Sequence, residues 1–511
     1  MGHRAASRAQ HSGRAEGRRK RVHTAQPESR SDLPREPRRG FWTPSLLALI
    51  VIGTLLRLYY LGQPMRYDES VTYLYFAAGS WGHAISSYTY PNNHVFHTLL
   101  VKVCVALFGN DPRVIRLPAI AAGIATIPLT FWVGRRLFGS AAAYVAAALV
   151  ATSGALVLYS TNARGYTMIC AASLALAALL LRLRDRSSAR LWMATIIVTS
   201  LGLWTIPVMV FPAGGLALWF VLSAVRDETT GGRANVKSMA GAVAATAVVT
   251  TLLYSPIIAH SGIDALVGNS FVRASPWSAF IVQLPSSIKP TVAGWTLGLP
   301  LAGSALVAAC AFVGLLNERR TSGMRVSMAG SMYVWCALVL LLTHRDPFPR
   351  VWMFLVAPAA LLSAHGLIQL LSDFASIRDR LVSRAEEASI ALAIVLASIL
   401  VFSRAVVRSR DTGTLRDAHT IASAFARTLR PGDRVIAPLP SNAPLAYYFV
   451  RQGVDTSYLS SAPDSSSSIF LVVNTDEGFT INTRLAEPIL KSVHGARLLA
   501  RYASAEVYRL Y

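Results

Sequence analysis

The sequence predicts an α-helical polytopic membrane protein with a small α/β domain at its C-terminal end. Three observations predict it. The chain has 511 residues, 53% of them hydrophobic and only 15% charged. Its apolar residues gather into repeated runs of roughly 20, the length that spans a bilayer core. From about residue 411 those runs give way to short alternating and amphipathic stretches separated by turn signals.

The charge follows the same plan. The formal net charge is +23. Residues 1–40 carry eleven Lys/Arg against four Asp/Glu, and residues 411–511 carry ten against nine. The rest of the excess lies in short loops between apolar runs, the positive-inside pattern. Topology accounts for the charge, and no nucleic-acid partner is implied. The four cysteines, Cys104, Cys170, Cys310 and Cys336, all fall in apolar stretches, so no disulfide framework is expected in the C-terminal region.

Eleven spans are expected, at 41–62, 113–134, 141–160, 166–182, 191–206, 208–225, 238–258, 294–316, 326–343, 350–371 and 388–408. The first follows a long basic tail, 1–40, which reads as a disordered cytoplasmic segment before an uncleaved signal anchor. The apolar run 94–109 is excluded because it is short and holds Lys102. If it crossed, Arg135/Arg136, Arg182–Arg190, Arg319–Arg325 and Arg378–Arg384 would all turn outward, against the charge rule. It is expected instead as an interfacial helix with Lys102 at the headgroups. The membrane module then covers 41–410, with an outer loop at 63–112 and further outer loops at 161–165, 259–293 and 344–349. Two short spans must turn near Pro207, since one long helix there would invert everything downstream. The region 411–511 reads as an extracytoplasmic α/β domain, with helices at 414–429, 443–452 and 484–493, strands at 434–439 and 469–474, and a Ser-rich loop at 460–468.

Chemistry-bearing residues cluster in the expected outer segments. Asp68 and Glu69 lie in Met65-Arg66-Tyr67-Asp68-Glu69-Ser70. A carboxylate there takes a proton from an attacking hydroxyl or holds a cation, or it is a solvated turn capping the helix that starts at Ser70. Arg164, in Ser160-Thr161-Asn162-Ala163-Arg164-Gly165-Tyr166, is suited to grip phosphate or to snorkel at a helix end. Arg345 and Arg350, in His344-Arg345-Asp346-Pro347-Phe348-Pro349-Arg350, form either a phosphate clamp or a Pro-held turn. His94 and His97 are spaced i, i+3, an incomplete metal site. Substrate contact or capping suits them better. Arg57 sits within the first span, either as a functional charge or snorkelling past Tyr59 and Tyr60.

In their order along the chain, several stretches resemble the GT-C glycosyltransferases. The likeness is to the polyprenyl-phosphate-sugar-dependent group of protein O-mannosyltransferases and lipid A aminoarabinose transferases, family 39-like. They are Leu55-Leu56-Arg57-Leu58 before Tyr67-Asp68-Glu69, Pro91-Asn92-Asn93-His94, and Arg116-Leu117-Pro118-Ala119. Further on come Gly134-Arg135-Arg136-Leu137-Phe138-Gly139, Ala163-Arg164-Gly165-Tyr166 and Arg350-Val351-Trp352-Met353-Phe354. The resemblance implies inverting transfer from a polyprenyl-phosphate sugar donor to an acceptor (protein, lipid or glycan) at the outer face of the cell membrane. It implies Asp68 as catalytic base; Glu69 is the expected catalytic neighbour, and Tyr67, Asn93, His94, His97, Arg164, Tyr166, Arg345 and Arg350 are the expected substrate contacts. Two departures stand out: Asn162 where many relatives carry an acid, and Asn93-His94-Val95 in place of His-Pro-Pro. No cofactor is demanded, and a bridging divalent metal is left open by the missing acid. The alternative class is a multi-pass transporter or flippase of lipid-linked glycan.

Overall fold

The computed structural model describes residues 42–226, 230–268, 272–322, 324–371, 374–460, 468–485, 487, 490 and 493–511. Contacts divide the chain into Met1–Thr43 and Pro44–Tyr511. The basic tail at 1–40 and most of the Ser-rich loop, 461–467, lie outside the described residues.

Among the described residues, eight helices are long and apolar enough to cross a membrane: Pro44–Leu61, Leu117–Phe138, Tyr166–Asp185, Pro207–Arg226, Gly232–Ser261, Leu301–Ser322, Pro349–Leu370 and Ala385–Ser403. A ninth is broken, with Ser140–Thr152 and Gly154–Ser160 meeting at 52°. The eleven expected spans fall on these nine and on two shorter apolar helices, Ala189–Thr205 and Met328–Thr343. The turn near Pro207 is present: Ile206 is extended and Pro207 opens the next helix, as a proline disposes its predecessor to be. One helix was not expected. Trp277–Trp295 occupies about the second half of the supposed loop 259–293, and its two internal prolines, Pro285 and Pro290, disguise it as loop.

The broken span explains Arg57. Where the helix stops, the Ala151 carbonyl loses its helical donor, and in lipid such a group must find a partner inside the protein. Arg57 Nη1 donates to it at 3.0 Å and to the Gly53 carbonyl at 2.9 Å, while Nε donates to Ser160 Oγ at 3.0 Å. The side chain is fully buried, so it staples the break and does not snorkel. Gly123 makes the room: a Cβ there would lie 2.0 Å from Ser160 Oγ and 3.2 Å from Arg57 Nε. Gly123→Ala should therefore destabilise the fold by about 1–3 kcal/mol through overpacking. Thermal denaturation in detergent checks it, and an unchanged midpoint would refute the close approach.

The helix Val95–Phe108 matches the expected interfacial segment in extent, but the Lys102 ammonium turns into the protein. It is buried and donates to the carbonyls of Ala77 (3.0 Å) and Gly79 (2.5 Å), closing the C-terminal end of the short helical stretch 73–77.

The C-terminal region forms a five-stranded mixed sheet, β1 (Arg434–Ile436), β2 (Leu459–Ser460), β3 (Ile469–Asn474), β4 (Ala496–Arg501) and β5 (Ala505–Leu510), in the order β2-β1-β3-β5-β4. β1 pairs parallel with β2 and β3, and β5 pairs antiparallel with β3 and β4. Helices Ala418–Thr428 and Asn442–Arg451 cover one face. That face shares a single apolar core with the first loop: Met65, Tyr73, Ala77 and Val101 pack with Phe425, Val435, Tyr447 and Phe449. Polar contacts reinforce the seam, with Tyr448 Oη accepting from the Met65 amide at 3.2 Å and Tyr447 Oη donating to the Asn110 carbonyl at 2.6 Å. The sheet thereby fixes the loop that carries Asp68.

Candidate active site

The acidic pair opens the helix Tyr67–Thr72, and its two carboxylates diverge. Glu69 turns inward and is fully buried. Its Oε1 accepts from the Arg66 amide at 2.8 Å, and its Oε2 accepts from Arg116 Nε at 3.0 Å and from the Ala163 amide at 2.8 Å. Arg116 Nη2 closes a second bond to Oε1. The remaining Arg116 hydrogens go to the carbonyls of Leu61, Gln63 and Pro64 at 2.7–3.0 Å. Burial alone would lower the Arg116 pKa, but Glu69 beside it more than offsets this and holds it above the usual value. Glu69 thus ties three pieces of chain together.

Asp68 turns the other way, into a cavity of about 1410 Å³. Its Oδ1 accepts from Asn92 Nδ2 at 3.4 Å, and its Oδ2 has no hydrogen-bond partner, only Arg350 Nη2 at ion-pair range, 3.5 Å. The amides of Tyr67 and Asp68 donate to the carbonyls of Gly413 (3.0 Å) and Thr412 (3.2 Å). That turn just past the last span holds both residues at positive φ, a strain that Gly413 bears readily and Thr412 does not.

Arg350 and Arg164 converge on the same cavity. Arg350 donates through Nε to Tyr166 Oη at 3.2 Å, and its Nη1 lies 3.6 Å from Asp411. Arg164 donates to Thr72 Oγ1 at 3.0 Å and to the Asn92 carbonyl at 3.2 Å, with its guanidinium 5.9 Å from the Tyr166 ring centre. His94 Nδ1 accepts from the Gly165 amide at 2.8 Å. Burial, then the cationic Arg164, holds His94 well below the ordinary histidine range and His97 at about 3, so both are neutral near pH 7.

The cavity wall therefore carries Tyr67, Asp68, His94, Arg164, Tyr166, Arg345 and Arg350. Three expected site residues are placed elsewhere. Glu69 is sealed behind the helix, as described. Asn93 clamps the loop internally, donating to the carbonyls of Ala84 (3.0 Å) and Ser87 (2.8 Å) and accepting from Thr98. His97 is fully buried with neither ring nitrogen bonded. Asn92, one residue earlier, reaches the cavity in place of Asn93. Asp411 and Tyr159 were also missed. They are hydrogen-bonded to each other, and Asp411 meets Arg350 from 61 positions away in sequence. No local pattern signals that contact.

The remaining wall is mixed. Val208, Val210, Phe211 and Val339 come from the apolar helices, and Ile436, Ala443 and Val450 from the sheet domain. The volume exceeds the roughly 300–1,000 Å³ of a small-molecule site, enough for two substrates. Among the described residues no group of three or more His, Cys, Asp or Glu side chains is arranged to hold a metal. Asp68 faces a guanidinium instead, and His94 spends Nδ1 on a backbone amide. The residues present do not fit a metal centre.

Residues 93–259 match the family model described as dolichyl-phosphate-mannose-protein mannosyltransferase. The fold is similar to that of ArnT from Cupriavidus metallidurans in the apo state, with a TM-score of 0.60 at 13% identity over 91% of this chain and 97% of that one. The same protein bound to undecaprenyl phosphate gives 0.58 at 14% identity, with the same coverage. The oligosaccharyltransferase of Archaeoglobus fulgidus gives 0.50 at 11% identity, over 91% of this chain and 72% of that one. The chain shares the fold of these membrane transferases, and its residues 93–259 carry the sequence likeness to the mannosyltransferase family. No curated protein matches it in sequence. On the cavity wall a carboxylate lies within ion-pair range of Arg350, Arg164 stands on the same wall, and apolar helices line another part.

Proposed function

We propose that this protein is a membrane glycosyltransferase that moves a sugar from a polyprenyl-phosphate donor to an acceptor hydroxyl at the outer face of the cell membrane, with inversion at the anomeric carbon. The observation that carries the reading is Asp68 Oδ2, a buried carboxylate oxygen that accepts no hydrogen bond and faces a cavity shared with Arg164 and Arg350. Asp68 takes the acceptor proton as the hydroxyl oxygen attacks the anomeric carbon. The bond from that carbon to the phosphate oxygen breaks as the glycosidic bond forms. Negative charge collects on the departing phosphate, where Arg350 and Arg164 are preorganised to receive it. The lipid tail lies against Val210, Phe211 and Val339, and the ArnT relative bound to undecaprenyl phosphate supports a donor of this kind.

The orientation rests on the basic clusters. Arg136 pairs with Asp185, and Arg226 and Arg325 bond to each other's carbonyls. Asp185 ends the helix that Arg164 precedes, and with the basic face read as cytoplasmic the site, the sheet domain and the C-terminus lie outside.

The test is a panel of labelled polyprenyl-phosphate sugars given to the purified full-length protein with a cell-envelope acceptor fraction. One donor is expected to release polyprenyl phosphate and yield a product of opposite anomeric configuration. Retained configuration would overturn the single-displacement mechanism, and inertness toward every donor would overturn the donor class.

A further inference from the structure

The segment leaving the last span does more than connect. Residues 409–413 touch each catalytic piece: Arg66 Nη1 donates to the carbonyls of Ser409 (2.8 Å) and Asp411 (2.9 Å). Asn162 Nδ2 donates to Thr412 Oγ1 at 3.0 Å, and the carbonyls of Thr412 and Gly413 receive the amides that open the Asp68 helix. At its centre Tyr159 Oη donates to Asp411 Oδ2, while Oδ1 lies 3.6 Å from Arg350 Nη1. Every nitrogen of Arg350 is consequently engaged: Nε by Tyr166, Nη1 by Asp411 and Nη2 by Asp68.

We propose that Asp411 is a positioning residue that, together with Asp68, clamps Arg350, so that an arriving lipid phosphate must displace carboxylates to reach the guanidinium. This rests on the lipid-phosphate reading above. The physical argument is competition for one fork. Both carboxylate contacts are long, 3.5 and 3.6 Å, whereas a charge-assisted guanidinium bond runs at about 2.7–2.9 Å. A phosphate offering short bonds therefore wins the nitrogens. As it does, the Arg350 fork turns from Asp68 to the phosphate, and Asp68 Oδ2 is left free to face the acceptor hydroxyl. Tyr159 holds Asp411 so that the guanidinium stays poised in the cavity rather than collapsing onto Asp68. Without the donor, Arg350 holds the Asp68 carboxylate.

The experiment measures binding of undecaprenyl phosphate to the full-length protein in lipid nanodiscs. Asp411→Asn should tighten binding by about two- to fivefold, because one competitor for Arg350 is gone, and Asp411→Glu should restore the wild-type value. A merely structural role predicts weaker binding in both variants. Removal of any nearby negative charge would also tighten binding, so a double-mutant cycle with Arg350→Ala separates the two causes. The gain should vanish in the Arg350→Ala background. A gain that persists without Arg350, or Asp411→Asn binding no tighter than wild type, overturns the clamp while leaving the donor reading intact. Failure of the wild type to bind undecaprenyl phosphate overturns both.

Discussion

Asp68→Asn is expected to lower sugar transfer by about 10²–10⁴-fold, the usual contribution of a positioned general base, with little change in fold. Asparagine keeps the shape of the side chain, and it still faces Asn92 and the open cavity. The amide Nδ2 cannot accept a proton, and Glu487, the other carboxylate on the described cavity wall, is paired with Arg484. His94 and His97 are neutral, but His97 is sealed from the cavity and His94 Nδ1 is already accepting a backbone amide. Asp411 is the other carboxylate at Arg350, yet its contacts point it at Tyr159 and the guanidinium. Because the substitution removes a partner of Arg350, undecaprenyl phosphate should bind at least as tightly to the variant as to the wild type. The decisive pattern is lost turnover with retained or improved carrier binding. Transfer within tenfold of wild type would remove Asp68 from the role of base.

Asp68 was legible as a candidate because its surroundings are local: an acidic pair just past an apolar run, with aromatics after it, needs no knowledge of what folds back onto it. The spans were legible for the same reason, since length and apolarity are properties of continuous segments. The helix Trp277–Trp295 was not, because two prolines break the local signal. At the site the losses have one cause. Which of Asn92 and Asn93 faces the cavity depends on a loop clamped by Ser87, Ala84 and Thr98. Whether Glu69 or Asp68 faces it depends on Arg116. Asp411 depends on the return of the chain after some 340 residues of membrane helices to the turn that caps Tyr67. Pattern identifies residue types; tertiary contact decides which neighbour of a pair points at the substrate.

Glu69 is where that distinction becomes measurable. Removing either partner of a buried ion pair leaves the other charge uncompensated, so Glu69→Ala or Arg116→Ala should destabilise the protein by about 3–5 kcal/mol. Arg116→Lys should also be damaging, since three ammonium donors cannot replace a guanidinium that serves Glu69 twice and three carbonyls besides. Replacing both residues together, Glu69→Met with Arg116→Leu, should lose less than Arg116→Ala alone, although the Ala163 and Arg66 amides would still miss their acceptor. The cysteines supply the readout: Cys170, Cys310 and Cys336 are buried free thiols, so a thiol-reactive dye reports unfolding as they become exposed on heating. A catalytic Glu69 predicts the opposite split, with Glu69→Gln leaving the melting midpoint unchanged while transfer collapses. A tethering Glu69 predicts a lowered midpoint, and transfer that falls only as far as the Asp68 helix drifts from Arg350. Because Glu69 Oε2 bonds the amide beside Arg164, that drift should weaken undecaprenyl phosphate binding as well, whereas loss of Asp68 should not. Carrier affinity therefore tells the two adjacent carboxylates apart even where both variants are inactive.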